Sequence, residues 1–229
     1  MPNNYESTDN FELSLSSVNV LVAYAEDENK KGNDSNRLLF LKLSIVLMVS
    51  KFQVFVENVL AEFLYKIRTS KLDYNCLPIH SRINSLKLNM DDKDVLIQLK
   101  NPEKYDQNLL VTLEKFFKEL IKHCNHKDTI LDEFLFNNRF PLGKTGTNEL
   151  VGLFKQFEGK DIFENNIDMS KMDSLLNIRH NIIHQDANPS LTENMSIEYL
   201  DYLKVVSKFI DAYFKELLGK GQNTISSTA

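Results

Sequence analysis

The stretch Arg179-His180-Asn181-Ile182-Ile183-His184 holds the residue types of this chain best suited to chemistry. An arginine is a permanent cation whose planar fork matches phosphate oxygens. A histidine is the side chain whose unperturbed pKa lies near neutral pH, so it can take or give a proton there. Together they are the parts needed to cleave a phosphodiester without a metal. In a helix, positions five apart are separated by about 140° around the axis, so Arg179 and His184 do not stack on one face. His180 and His184, four apart, do lie near one another. Convergence of Arg179 and His184 needs either a helix that frays at His184 or a second copy that supplies the partner. The bland alternative is that both residues close a helix end, with the cation near the terminal carbonyls.

Other candidate chemistry is weaker. Cys76 with His80, and His123-Cys124 with His126, invite a zinc reading, but their spacing fits no strong ligand motif. Gly143-Lys144-Thr145 echoes the end of a phosphate-binding loop. The required glycine five positions earlier is Asn138, and no strand precedes it. The two cysteines make no disulfide framework and read as reduced thiols. No metal site and no cofactor is expected.

The elements that position the hexapeptide are helical throughout. Seven glycines and five prolines in 229 residues are few, which favours long helices over a turn-rich β architecture. An all-α bundle of six to eight helices is expected. Residues 11–28 carry Phe11, Leu15, Val18, Leu21 and Tyr24 at helical spacing. Residues 27–36 read as a loop, with Asp34, Ser35 or Asn36 capping the next helix. That helix runs from Arg37 to Arg68, with Leu39, Leu43, Val46, Val49, Phe52, Phe55, Val59, Phe63 and Ile67 inward. Its broad apolar face makes it the central helix of the bundle. Shorter pieces follow near 79–89, 93–100 and 105–123. Thr147 caps a helix with Leu150, Leu153, Phe154 and Phe157.

The helix of the hexapeptide should start near Ser170 or Asp173, place Leu175, Leu176, Ile178, Ile182 and Ile183 inward, and end soon after His184. Ser196 then caps a last helix that stops at Gly219. Residues 1–10 and 219–229 read as frayed, leaving one domain over 11–218. A net charge of −5 and a pI near 5.6 exclude a protein coated with basic residues. A nucleic-acid role therefore needs a local cationic groove. The most apolar run, Leu38 to Val49, is too short and too charged for a membrane span of about 20 residues. A soluble, cytoplasmic protein that does not engage a membrane is expected.

In this setting the chain resembles the HEPN superfamily, α-helical proteins marked by an Arg, four to six intervening residues and a His. The match is Arg179, four residues, His184, preceded by the apolar run SLLNI and followed by a turn and the long helix SIEYLDYLKVVSKFIDAYFKELL. The upstream run LSIVLMVSKFQVFVENVLAEFL is similar to the early helix of the RiboL-PSP and MAE-like branches. Those branches often carry an acid two positions before an aromatic. Here the pair is Gln53 and Phe55, with Glu57 one turn later. The Asn that commonly follows the Arg is replaced by His180.

The resemblance implies a metal-independent endoribonuclease, a toxin or anti-phage effector that works as a homodimer on RNA, with an antitoxin or companion defence protein as a further partner. It implies attack of a ribose 2′-hydroxyl on the adjacent phosphate. Arg179 and His184 are then the catalytic residues, with His180, Asn181 and Glu57 in support. A non-catalytic dimerisation or partner-binding module of the same fold is the alternative.

Overall fold

The computed structural model describes residues 5–69, 77–89, 111, 114, 117–118, 121, 136–141, 146–185 and 188–226. Among the described residues there are seven continuous helices and no strand. They are α1 (Glu6–Ser14), α2 (Ser16–Lys30), α3 (Asp34–Thr69), α4 (Ile79–Asn89), α5 (Gly146–Glu158), α6 (Met169–Gln185) and α7 (Glu193–Ser226). Val111, Glu114, Phe117, Lys118 and Ile121 are also helical, within the stretch expected to be helical over 105–123. Cys76, His123, Cys124, His126 and Gly143 to Thr145 lie outside the described residues.

The chain divides into two compact units. One comprises Met1–Phe63, Asn138–Leu153 and Asp161–Lys215, the other Leu64–Asn137, Phe154–Lys160 and Glu216–Ala229. The division interleaves because α3, α5 and α7 each run from one unit into the other, so no linker marks it.

The first unit is built on α3. Its buried stripe is Leu41, Ile45, Met48, Val49, Phe52, Phe55, Val56, Val59, Leu60 and Phe63, spaced by threes and fours. Leu39 and Leu43, expected inward, are instead about half exposed. The helix carries a second apolar stripe over its first turns, and periodicity alone does not say which stripe faces the core. By length and composition α3 is apolar enough to cross a membrane, and its buried stripe supplies this core. Against it pack Phe11, stacked on Phe55 at 4.9 Å, and Phe140, edge-on to Phe52 at 6.4 Å. Phe214 of α7 stacks on Phe63 at 4.3 Å. Each such ring, buried, stabilises by roughly 1.5–3 kcal/mol.

The expected first helix is two, α1 and α2, meeting at Leu15, and it starts earlier than the sequence indicates. Residues 5–10, expected to be frayed, are ordered because carboxylates of other helices satisfy the free N–H groups of α1. Glu62 of α3 accepts from the Glu6 and Ser7 backbone N–H groups at 3.1 and 2.9 Å and from the Ser7 hydroxyl at 2.7 Å. Asp211 of α7 accepts from the Tyr5 N–H at 2.7 Å and the Thr8 hydroxyl at 3.1 Å. Burial, with the nearby Glu62 and Asp211 charges, pushes the Tyr5 phenol above its usual range.

Several caps fall one to four residues earlier than expected. Asn33, not Asp34 to Asn36, caps α3, accepting from the Asn36 N–H in its first turn. Thr192 caps α7 through the Met195 N–H at 3.2 Å. Ser196 is buried and accepts a hydrogen bond from Ser44 at 3.3 Å. Thr147 lies inside α5, where its hydroxyl donates to Asp173. The α7 helix continues through Gly219 to Ser226, so the expected stop and frayed tail do not begin there.

The second unit places α4 beside the end of α5. Ser81 and Asn84 donate to the Phe157 and Gln156 carbonyls at 3.0 and 2.9 Å. Gln156 exchanges two hydrogen bonds with the Asn137 backbone, and Phe136 meets Phe157 edge-on at 5.0 Å.

Candidate active site

Helix α6 carries the hexapeptide, and it is held firmly at one end. Asp168 caps it by accepting from the Ser170 N–H at 3.1 Å and the Ser170 hydroxyl at 2.6 Å. The Ser170 hydroxyl, with the exposed backbone N–H groups there, holds the Asp168 carboxyl below its usual range. The Tyr202 hydroxyl donates to the Asp168 carbonyl at 2.8 Å, and burial pushes that phenol above its usual range. The Lys171 ammonium sits 5.9 and 5.7 Å from the ring centres of Tyr199 and Tyr202. Met172, Leu175 and Leu176 are buried. The close approach of Leu176 to α5 leaves room for Gly146 alone, since a Cβ there would lie 2.7 Å from Leu176 Cδ1.

Beyond Leu176 the helix leaves the core. Ile178, Arg179, His180, Asn181 and Ile182 are half-buried, and Ile183, His184 and Gln185 are exposed. The isoleucines expected inward are therefore not core residues. The helix also stays intact through Gln185, one residue past His184. Fraying at His184, one of the two routes to convergence, does not occur. Arg179 and His184 remain about 7.5 Å apart along the axis and about 140° apart around it. His180 and His184 do meet, with ring centres 4.6 Å apart and planes at 42°.

Arg37 and Arg179, both on this unit, differ sharply. Arg37 is committed: its Nε and one terminal nitrogen donate to the two oxygens of Glu193 at 2.6 Å each, which holds the Glu193 carboxyl below its usual range. Arg179 forms no ion pair with any carboxylate among the described residues, and its Nε is buried without a hydrogen-bond partner. No carboxylate among the described residues neutralises this guanidinium, so its charge can attract an anion.

Glu57 is engaged elsewhere. Its carboxylate accepts from the Phe140 N–H at 3.0 Å, while Gln53, one turn earlier, donates to the Phe140 carbonyl at 2.9 Å. The two side chains bracket a single residue of the 136–141 segment. This explains why an amide stands at position 53: the carbonyl requires a donor there, which a carboxylate lacks. Glu57→Ala should lower unfolding free energy by about 1–3 kcal/mol, by leaving that N–H unpaired, read as a shift of the urea midpoint. An unchanged midpoint would mean the bracket contributes nothing.

Asn181 makes no side-chain hydrogen bond within the described residues and lies beside Arg179 and His180 on the half-buried part of the helix. Among the described residues no group of three or more His, Cys, Asp or Glu could hold a metal ion. A cleft of about 290 Å³ between α1 and α3, floored by Phe11 and Phe55 and rimmed by Asn10, Lys51 and Asn58, contains none of the hexapeptide residues. Sequence pattern gives no sign of it, because its rim comes from two separate helices. A family model, RiboL-PSP-HEPN, matches residues 10–218. No curated protein and no solved structure matches the chain.

Proposed function

Since this chain belongs to the RiboL-PSP-HEPN family, we propose that it is a metal-independent endoribonuclease whose catalytic residues are Arg179 and His184. The supporting observation is the uncommitted guanidinium of Arg179 on the same helix end as an exposed imidazole. Anionic RNA supplies what Arg179 lacks, and His184 is placed where a large substrate can reach it.

The reaction is transesterification. The ribose 2′-oxygen forms a bond to phosphorus, and the bond from phosphorus to the 5′-oxygen breaks. One imidazole removes the 2′-hydroxyl proton, and a protonated imidazole supplies a proton to the departing 5′-oxygen. The products are a 2′,3′-cyclic phosphate and a 5′-hydroxyl. Arg179 stabilises the charge that builds on the phosphoryl oxygens. Asn181 orients the phosphate, and Glu57 supports the site at a distance by fixing the 136–141 segment.

Separation of Arg179 and His184 around an intact helix favours a homodimer, in which the motif of one copy completes that of the other. Exposed Leu39, Leu43, Ile183 and Ile197 on the same unit are suited to burial against a second copy. Two copies also concentrate the few cations of an acidic protein in one groove. An effector role follows, as a toxin or anti-phage nuclease held in check by an antitoxin or companion defence protein in the cytoplasm.

Incubation of the pure protein with a mixed RNA pool in EDTA tests the activity. The expected fragments have 5′ ends that a kinase labels directly, without prior dephosphorylation. Fragments with 5′-phosphates, or cleavage that needs added magnesium, would overturn the mechanism. Intact RNA under all conditions would favour the non-catalytic module.

A further inference from the structure

His180 and His184 are more than neighbours on a helix. Four residues apart, they project from one face one turn apart, and their ring centres lie 4.6 Å from each other. Neutral imidazole is a good ligand for borderline divalent ions, and a zinc–nitrogen bond is about 2.0–2.1 Å. Adding the ring radius, an ion bound by both rings sits roughly 3.2 Å from each centre. At the observed spacing, such an ion would see its two nitrogens at an angle near 90°. Opening to the tetrahedral angle needs the ring centres to part by about 0.6 Å.

We propose that His180 and His184 form a two-imidazole zinc site, and that zinc there inhibits the enzyme by occupying the nitrogen with which His184 would move a proton. The binding half stands on the helix geometry alone. The inhibitory half rests on the nuclease reading above. No redox change is involved: each imidazole gives a lone pair to the ion, and water fills the remaining positions.

The surroundings set the character of the site. Two imidazoles alone leave the other positions of the ion to water, and no third His, Cys, Asp or Glu joins them among the described residues. Arg179, adjacent in sequence, repels the incoming charge. Binding is therefore reversible and chelator-sensitive, unlike the closed four-ligand sites that hold small domains together. His180 gives the replacement at the position after the Arg a job of its own, one that an Asn there could not do.

Calorimetric titration of the full chain with zinc chloride at pH 7.5 decides the binding half. One zinc per chain is expected, weakened at least tenfold by either His180→Asn or His184→Ala and tightened by Arg179→Ala. Equal binding by wild type and His180→Asn would overturn the site, as would one zinc per two chains. Circular dichroism of each variant confirms that the helices are retained.

The inhibitory half is read by comparing each protein with itself, with zinc and then with excess EDTA. Wild type should lose at least tenfold in cleavage rate with zinc and recover it on chelation, while His180→Asn should show the same rate in both. Inhibition of both proteins alike would remove the regulatory role. Were no sample to cleave RNA, the nuclease reading would fall, with calorimetry still deciding the zinc site.

Discussion

Replacing His184 with Ala should lower the rate of RNA cleavage by about 10²–10⁴-fold, the range that a positioned proton-transfer group supplies. The loss should not come from unfolding. His184 is exposed in the last turn of α6 and is anchored to nothing in the core, so unfolding free energy should move by no more than about 0.5 kcal/mol. Arg179→Ala should cost a comparable factor, about 10²–10³-fold, through lost stabilisation of phosphoryl charge. Arg179→Lys keeps the charge but not the fork, and should recover only part of the rate. If the site is completed by a second copy, mixing inactive Arg179→Ala with inactive His184→Ala should restore activity. In mixed dimers, one composite site then keeps both native residues. Full cleavage by His184→Ala with its fold intact would remove the catalytic assignment.

The second large effect concerns stability. Asp211 is 4% exposed and serves three partners: the Tyr5 N–H, the Thr8 hydroxyl and the Lys215 ammonium. Asp211→Ala leaves all three without their acceptor at once. Removing one side of a buried charged pair typically costs 3–5 kcal/mol, because the buried Tyr5 N–H and Thr8 hydroxyl lose their Asp211 acceptor. In a domain of this size that corresponds to a fall of roughly 10 °C in midpoint. Asp211→Asn keeps the shape and one acceptor oxygen and should lose about half as much. Thermal melts followed at 222 nm would separate the two. A Asp211→Ala protein that melts within a degree of wild type would show that the first helix contributes little to the fold.

Much of this architecture was legible from residue pattern. The α3 helix could be read because its apolar repeat is unbroken by glycine or proline. The α6 helix could be read because the turn around Pro189 ends it. The orientation of α3 was less legible, since Leu39 and Leu43 continue an apolar stripe that the core does not use. Exposure of that stripe is a property of the fold, not of the spacing. The start of α1 was hidden for a different reason: its capping groups, Glu62 and Asp211, lie 55 to 206 residues away in sequence. Cap positions were misplaced by a few residues because Asn33, Asp168 and Thr192 each have polar neighbours of equal capping propensity.

At the candidate site, residue types named Arg179 and His184, and spacing put His180 beside His184. Sequence could not distinguish Arg179 from Arg37. Only the fold shows that Arg37 is paired with Glu193. Nor could it show that Glu57 is engaged with the backbone at Phe140, because no local pattern links residues 57 and 140.

The double latch on α1 has a consequence for the order in which the molecule is made. The ribosome delivers α1 long before α7, yet α1 is nine residues long and has no side-chain cap of its own, too short to persist alone. Until Asp211 has emerged, one of its two acceptors does not exist. The segment made earlier is thus secured later, and a chain interrupted before residue 211 cannot close it. The fold of this unit is therefore closed only after residue 211 has been made.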